Sequence, residues 1–188
     1  YGSETVTITK KAARISGLSA ENKTYDGTVA ATATGTAVIE DLCGTDSGKV
    51  TVSAGWAVFS DRNAGTGKTV TFSGYSLAGE KAGNYNLTGQ PSAVTADISP
   101  KPITEDMVAL DSTTGSYPCT GPETRPSVTV TDSGVTLTEG EDKDYVLGGC
   151  THSAGYGVYE LTVNGRGNYS GTVEVTWRIL DQTAPSGE

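Results

Sequence analysis

Apolar and polar residues alternate along much of this chain with a period of two. Lys49-Val50-Thr51-Val52-Ser53 and Thr69-Val70-Thr71-Phe72-Ser73 each send Val or Phe one way and Thr or Ser the other. Val128-Thr129-Val130, Tyr159-Glu160-Leu161-Thr162-Val163 and Val173-Glu174-Val175-Thr176-Trp177 repeat the pattern. Alternation of this kind predicts strands with one face against a core and the other in water. Glu4-Thr5-Val6-Thr7-Ile8-Thr9 reads as a further strand near the start. Turn signals such as Asp26-Gly27, Ser73-Gly74 and Asn164-Gly165 lie between the strands. No helical stripe longer than a turn or two occurs, and Glu105-Asp106-Met107-Val108 is the one ambiguous place. The expected fold class is all-β, two small immunoglobulin-like β-sandwiches in tandem; β-grasp-like modules are the alternative.

The tandem arrangement follows from self-similarity. Asn63-Ala64-Gly65-Thr66-Gly67 is echoed 90 residues later by Ser153-Ala154-Gly155-Tyr156-Gly157. Gly83-Asn84-Tyr85-Asn86 returns as Gly167-Asn168-Tyr169-Ser170, and Val94-Thr95-Ala96-Asp97-Ile98 as Val175-Thr176-Trp177-Arg178-Ile179, at offsets of 84 and 81. Tyr25 and Tyr117, 92 apart, match more loosely. The order is kept while the offsets shrink, as two copies with unequal loops would give. In Ile98-Ser99-Pro100-Lys101-Pro102-Ile103 the prolines favour extended backbone and remove two ladder donors, so a module boundary is expected there. The predicted domains are 1–100 and 101–181, with 182–188 a linker to a further module. Thr9-Lys10-Lys11-Ala12 reads as the corresponding joint to a preceding one. Both ends look cut from something longer.

Composition narrows the function classes. Of 188 residues, 25 are Gly, and Val, Thr and Tyr are plentiful, which disfavours helix. The net charge of −9 argues against nucleic acid and against an anionic membrane surface, both of which call for clustered Lys and Arg. No apolar run is long enough to span a bilayer, and no targeting segment is recognisable.

Residues 5–102 resemble the YDG domain of bacterial surface proteins and adhesins. The resemblance is carried by Ile15-Ser16-Gly17-Leu18, Lys23-Thr24-Tyr25-Asp26-Gly27-Thr28, Asp61–Val70, Ala82-Gly83-Asn84-Tyr85-Asn86-Leu87 and Thr95-Ala96-Asp97-Ile98. Residues 103–180 are similar to related immunoglobulin-like repeats of bacterial cell-surface proteins. They share Tyr117-Pro118-Cys119-Thr120-Gly121, Asp144-Tyr145-Val146, Gly165-Arg166-Gly167-Asn168-Tyr169-Ser170-Gly171 and Trp177-Arg178-Ile179. The resemblance implies extracellular modules, on a cell surface or secreted, acting as non-catalytic stalk or spacer elements and carrying no catalytic or cofactor residues. A carbohydrate- or host-protein-binding module and an accessory module of a secreted hydrolase are the competing readings. The expected partner is an unidentified glycan or protein, and the expected state a monomer. The motif residues themselves suit scaffold work: Asp26-Gly27 bends the chain cheaply, and a tyrosine beside such a turn can bury its ring and bond its hydroxyl to nearby groups. Tyr25, Asp26, Gly27, Asn84, Tyr85, Tyr117, Asn168 and Tyr169 are therefore read as turn and corner residues, with Tyr145 beside them.

Few residues invite chemistry. Cys119 and Cys150 lie in one module and could close a disulfide loop of about thirty residues, leaving Cys43 over. Three cysteines and the lone His152 fit no zinc spacing, so no metal is expected. Gly65-Thr66-Gly67-Lys68-Thr69 hints at a phosphate loop, but Arg62 stands where that motif needs glycine and a strand follows. Glu139-Gly140-Glu141-Asp142-Lys143-Asp144 is acidic without the residue order of a calcium loop and reads as a solvated turn.

Overall fold

A computed structural model describes residues 6–119 and 123–181. The chain divides into two compact units, Tyr1–Ser99 and Pro100–Glu188. The linker expected at 182–188 and the first two residues of the strand expected at 4–9 lie outside the described residues.

The first unit contains β1 (Lys11–Ala20), β2 (Lys23–Thr24), β3 (Ala30–Ala31), β4 (Ala33–Glu40), β5 (Thr51–Ser53), β6 (Trp56–Phe59), β7 (Gly65–Ser73), β8 (Ser76–Ala78), β9 (Tyr85–Leu87) and β10 (Val94–Ser99). A three-stranded sheet runs β4-β1-β9, a five-stranded sheet β2-β10-β7-β6-β3, and β5 pairs with β8. The core is drawn from both larger sheets: Ile15 of β1 packs with Ala57, Phe59, Val70, Phe72, Ala96 and Ile98 of β6, β7 and β10. These are the inward phase of the alternation; Thr69 and Thr71 between them face water. A smaller cluster joins Ala13, Val50 and Tyr85.

The second unit contains β11 (Lys101–Pro102), β12 (Val108–Leu110), β13 (Ser116–Pro118), β14 (Val128–Asp132), β15 (Val135–Thr136), β16 (Tyr145–Gly149), β17 (Gly157–Gly165), β18 (Tyr169–Ser170) and β19 (Thr172–Leu180). Its sheets run β13-β19-β17-β16, β12-β14-β15 and β11-β18. Val130, Leu161, Val163 and Trp177 are almost wholly buried. No α-helix occurs among the described residues; Glu105–Met107 is a single 3-10 turn that buries Met107.

One expectation is corrected. Residues 6–10 are not a strand: Val6 and Ile8 are exposed, and no strand among the described residues offers them a ladder, so alternation alone does not hold them extended in a sheet. In the stretch read as a joint, Thr9–Ala12, β1 begins at Lys11 and pairs in parallel with β9 (Lys11 with Tyr85). At the boundary the prolines fit their strand. The amides of Lys101 and Ile103 donate to Asn168 O and Ser170 O, both at 2.9 Å, and Pro102 sits between them where no donor is used.

Candidate functional site

The Tyr-Asp-Gly turn is built around a lysine. Gly27 has φ +75°, the left-handed conformation that only glycine adopts without cost, and it reverses the chain after β2. Asp26 Oδ1 accepts from the Thr28 amide at 2.8 Å and from Thr28 Oγ1 at 2.9 Å, an Asx-type closure. Lys23, facing inward from β2, places Nζ 5.4 Å from the centre of the Phe59 ring. That ammonium donates to Asp26 Oδ1 at 2.8 Å, Thr28 O at 2.9 Å and Ala30 O at 2.9 Å, so all three of its protons are used. The Tyr25 ring packs on the main core while its amide donates to Ser99 O. The hydrogen bond from Lys23, reinforced by those from Thr28, holds the Asp26 carboxyl down at about 2.

A pH dependence follows. Because the folded value is depressed below the ordinary 3.8, the turn's contribution is complete above pH 4 and is lost as pH falls toward 2. Half of the Asp26 side chain is exposed, so the expected loss is only about 1 kcal/mol or less. Urea midpoints measured between pH 5 and pH 2 should show this acid-side slope reduced in Asp26→Asn; an unchanged slope contradicts the assignment.

Two further tyrosines close corners of their own. Tyr85 is buried, accepts from the Cys43 amide at 2.9 Å and donates to Asp46 Oδ2 at 2.8 Å. The Cys43 amide favours the phenolate, but burial and the Asp46 carboxylate outweigh it, and the phenol is pushed up to about 12. In the second unit Tyr169 is also buried and donates to Asp132 Oδ2 at 3.2 Å, while Lys101 Nζ holds Asp132 Oδ1 at 2.6 Å. That lysine is the main reason the Asp132 carboxyl lies below its usual value. Asn84 ends a 3-10 turn before Tyr85, and Asn168 presents its carbonyl to the Lys101 amide.

Tyr117 occupies a different position from the one its match to Tyr25 implies. Tyr117 pairs with Ile179, whereas the residue facing Ile98 is Lys23; the two tyrosines are two ladder positions out of step. Tyr117 donates to Asp111 Oδ1 at 2.5 Å, and its ring meets Trp177 edge-on with centroids 6.0 Å apart. Burial first and then Asp111 push its phenol up to about 12. Tyr145 is buried on β16. The motif residues thus serve separate corners and do not converge on one cavity.

The expected Cys119–Cys150 bridge is not formed in the structure: both are free thiols, as is Cys43. The Cys150 thiol turns to His152 O at 3.1 Å and the Cys119 thiol to Ala154 O at 4.0 Å, so each is directed at backbone rather than at the other sulfur. Thiol titration of denatured, unreduced protein should therefore find three sulfhydryls; one would restore the disulfide. His152 is exposed, with Nε2 3.2 Å from Glu123 Oε1. Lys68 lies within β7 and donates to Asp61 Oδ1 at 2.6 Å, so its amine closes a hairpin. In the acidic run, Asp144 Oδ2 accepts from the Thr138 amide at 2.8 Å. Among the described residues no group of three His, Cys, Asp or Glu is placed to hold a metal ion, and no helix is long and apolar enough to cross a membrane.

Sequence reasoning missed two residues. Lys23 is one, although its place in the quoted motif, three before Asp26, was visible. Trp56 is the other: its side chain lies in the open, 61% exposed, at the start of β6. The signal was available, since Ala57 and Phe59 take the inward phase of that strand and leave Trp56 and Val58 outside.

These turns, each closed by a lysine or tyrosine on a carboxylate, define the first unit as a small all-β domain braced at its corners. A YDG domain is found within it, since the model of that family matches residues 9–96. No curated protein and no solved structure matches the chain.

Proposed function

We propose that this chain is part of a non-catalytic bacterial cell-surface or secreted protein, in which a YDG module and a related immunoglobulin-like module serve as structural and adhesive spacers. Each module is read as a small β-sandwich, the second a diverged copy of the first. In both, the unit's first strand pairs in parallel with the Asn-Tyr strand (Lys11 with Tyr85, Lys101 with Tyr169), and the last long strand takes a parallel partner, β2 or β13. The observation carrying the reading is where the motif side chains go. Asp26, Tyr85 and Tyr169 close hydrogen bonds onto their own module, which is the chemistry of a scaffold. An excess of acidic residues keeps such modules soluble outside the cell.

Antibodies raised against residues 6–181 should label intact, unpermeabilised cells of the source organism or its culture medium. Labelling that requires permeabilisation overturns the placement. A panel of hydrolase substrates turned over by the purified chain would overturn the non-catalytic reading.

A further inference from the structure

The outer face of the five-stranded sheet in the first unit carries one large side chain, and several features hold it in place. Trp56 lies across Gly74: a Cβ built on that glycine would fall 2.2 Å from Trp56 Cζ3 and 2.7 Å from Cε3. The glycine backbone therefore lies directly against one face of the benzo ring. Gly74 also has φ +74°, so a second constraint excludes other residues there. The turn that presents it is fixed from both sides. Gln90 clamps Tyr75, accepting from its amide at 2.8 Å and donating to its carbonyl at 3.0 Å. Gly55 approaches so closely that an added Cβ would meet Ser73 O at 1.9 Å.

An indole this exposed, 61% by area, and this firmly positioned gains little from folding. Its free face is a preorganised stacking surface. The side chains beside it set the chemistry. Ser73 is its direct cross-strand partner, Thr71 pairs with Val58 one step on, and Thr69 continues the row. The Ser73 and Thr71 hydroxyls make no hydrogen bond within the described residues. None of these positions carries a charge, although the chain as a whole is strongly acidic.

From this we infer that Trp56, with Ser73 and Thr71, forms a binding site for a neutral pyranose oligosaccharide. The C–H face of a sugar ring stacks on the indole, and its ring hydroxyls bond the two side-chain hydroxyls. An anionic sugar finds no cation there. The inference goes beyond the spacer role and stands or falls without it, because the experiment reads binding by the isolated protein and not its location.

The full chain is titrated with cellohexaose, xylohexaose, mannohexaose and N-acetylchitohexaose, with hexagalacturonate as the anionic arm, following tryptophan emission. Trp177 is buried, so the exposed Trp56 dominates any change. At least one neutral oligosaccharide should give saturable binding, weakened about tenfold or more in Trp56→Ala. Trp56→Phe, which keeps an aromatic face, should retain part of it. Amide and indole chemical-shift changes in the wild-type protein should centre on Trp56, Ser73 and Gly74, a readout that does not depend on how the variants fold. No saturable binding to any neutral probe overturns the inference. So does binding that survives Trp56→Ala, preferential binding of hexagalacturonate, or shift changes centred elsewhere.

Discussion

Trp177→Ala should destabilise the second unit by about 3–5 kcal/mol, the range for removing a buried tryptophan from a packed core. Trp177 is 1% exposed on β19, between Tyr117 edge-on and Tyr159 at 4.9 Å, and its indole N–H donates to Cys150 O at 2.8 Å. Truncation removes the ring, leaves a void under both tyrosines and strands that carbonyl. In a domain of this size each kcal/mol moves the melting temperature by about 4–8 °C. The transition assigned to the second unit should therefore fall by more than about 12 °C in differential scanning calorimetry. Trp177→Phe divides the loss, since it keeps most of the apolar contact and sacrifices only the hydrogen bond, at about 1–3 kcal/mol. Near-equal melting temperatures for wild type and the alanine variant would contradict the burial described.

Much of this core was legible in the alternation of residues. Thr69–Ser73, Tyr159–Val163 and Val173–Trp177 all fall inside the long strands β7, β17 and β19, because their inward positions are large and their outward ones polar. The pattern fails where that contrast is weak or where no partner exists. β1 opens Lys11-Ala12-Ala13-Arg14, in which the buried residue is only an alanine, so strand and joint look alike. Residues 6–9 alternate well yet have no adjacent strand among the described residues. Sheet pairing is a long-range property, and local periodicity does not encode it. The candidate site shows the same division. Asp26-Gly27 announced its turn through local backbone chemistry. The glycine beneath Trp56 acts across strands and becomes visible only when β6 and β7 are side by side. Lys23, by contrast, stands in plain view three residues before Asp26, and only its inward turn onto Thr28 O and Ala30 O needs the folded chain.

The bulge that β4 forms opposite Gly17 of β1 offers the other large effect, with a control that separates its two causes. Between Ser16 and Leu18 the register against β4 shifts: Ser16 faces Val38 while Leu18 faces Gly35. Gly17 and Gly35 both adopt positive φ, +79° and +83°. A Cβ on Gly17 would lie 2.4 Å from Thr36 O, and one on Gly35 would lie 2.3 Å from Gly17 O. Each obstacle is backbone inside a ladder and has little freedom to retreat. Gly17→Ala and Gly35→Ala should therefore each cost about 2–4 kcal/mol, the conformational penalty plus a clash that shifts two strands. Gly67 isolates the first cause, because its φ is +60° and an added Cβ meets nothing within 4 Å. Gly67→Ala should cost only about 1 kcal/mol, and Gly67→Val somewhat more through its branched side chain. Chemical denaturation of the three alanine variants checks the ordering. If Gly67→Ala proves as damaging as Gly17→Ala, positive φ accounts for the whole effect. If all three are neutral, the β1–β4 ladder does not have the close backbone approach that the bulge requires.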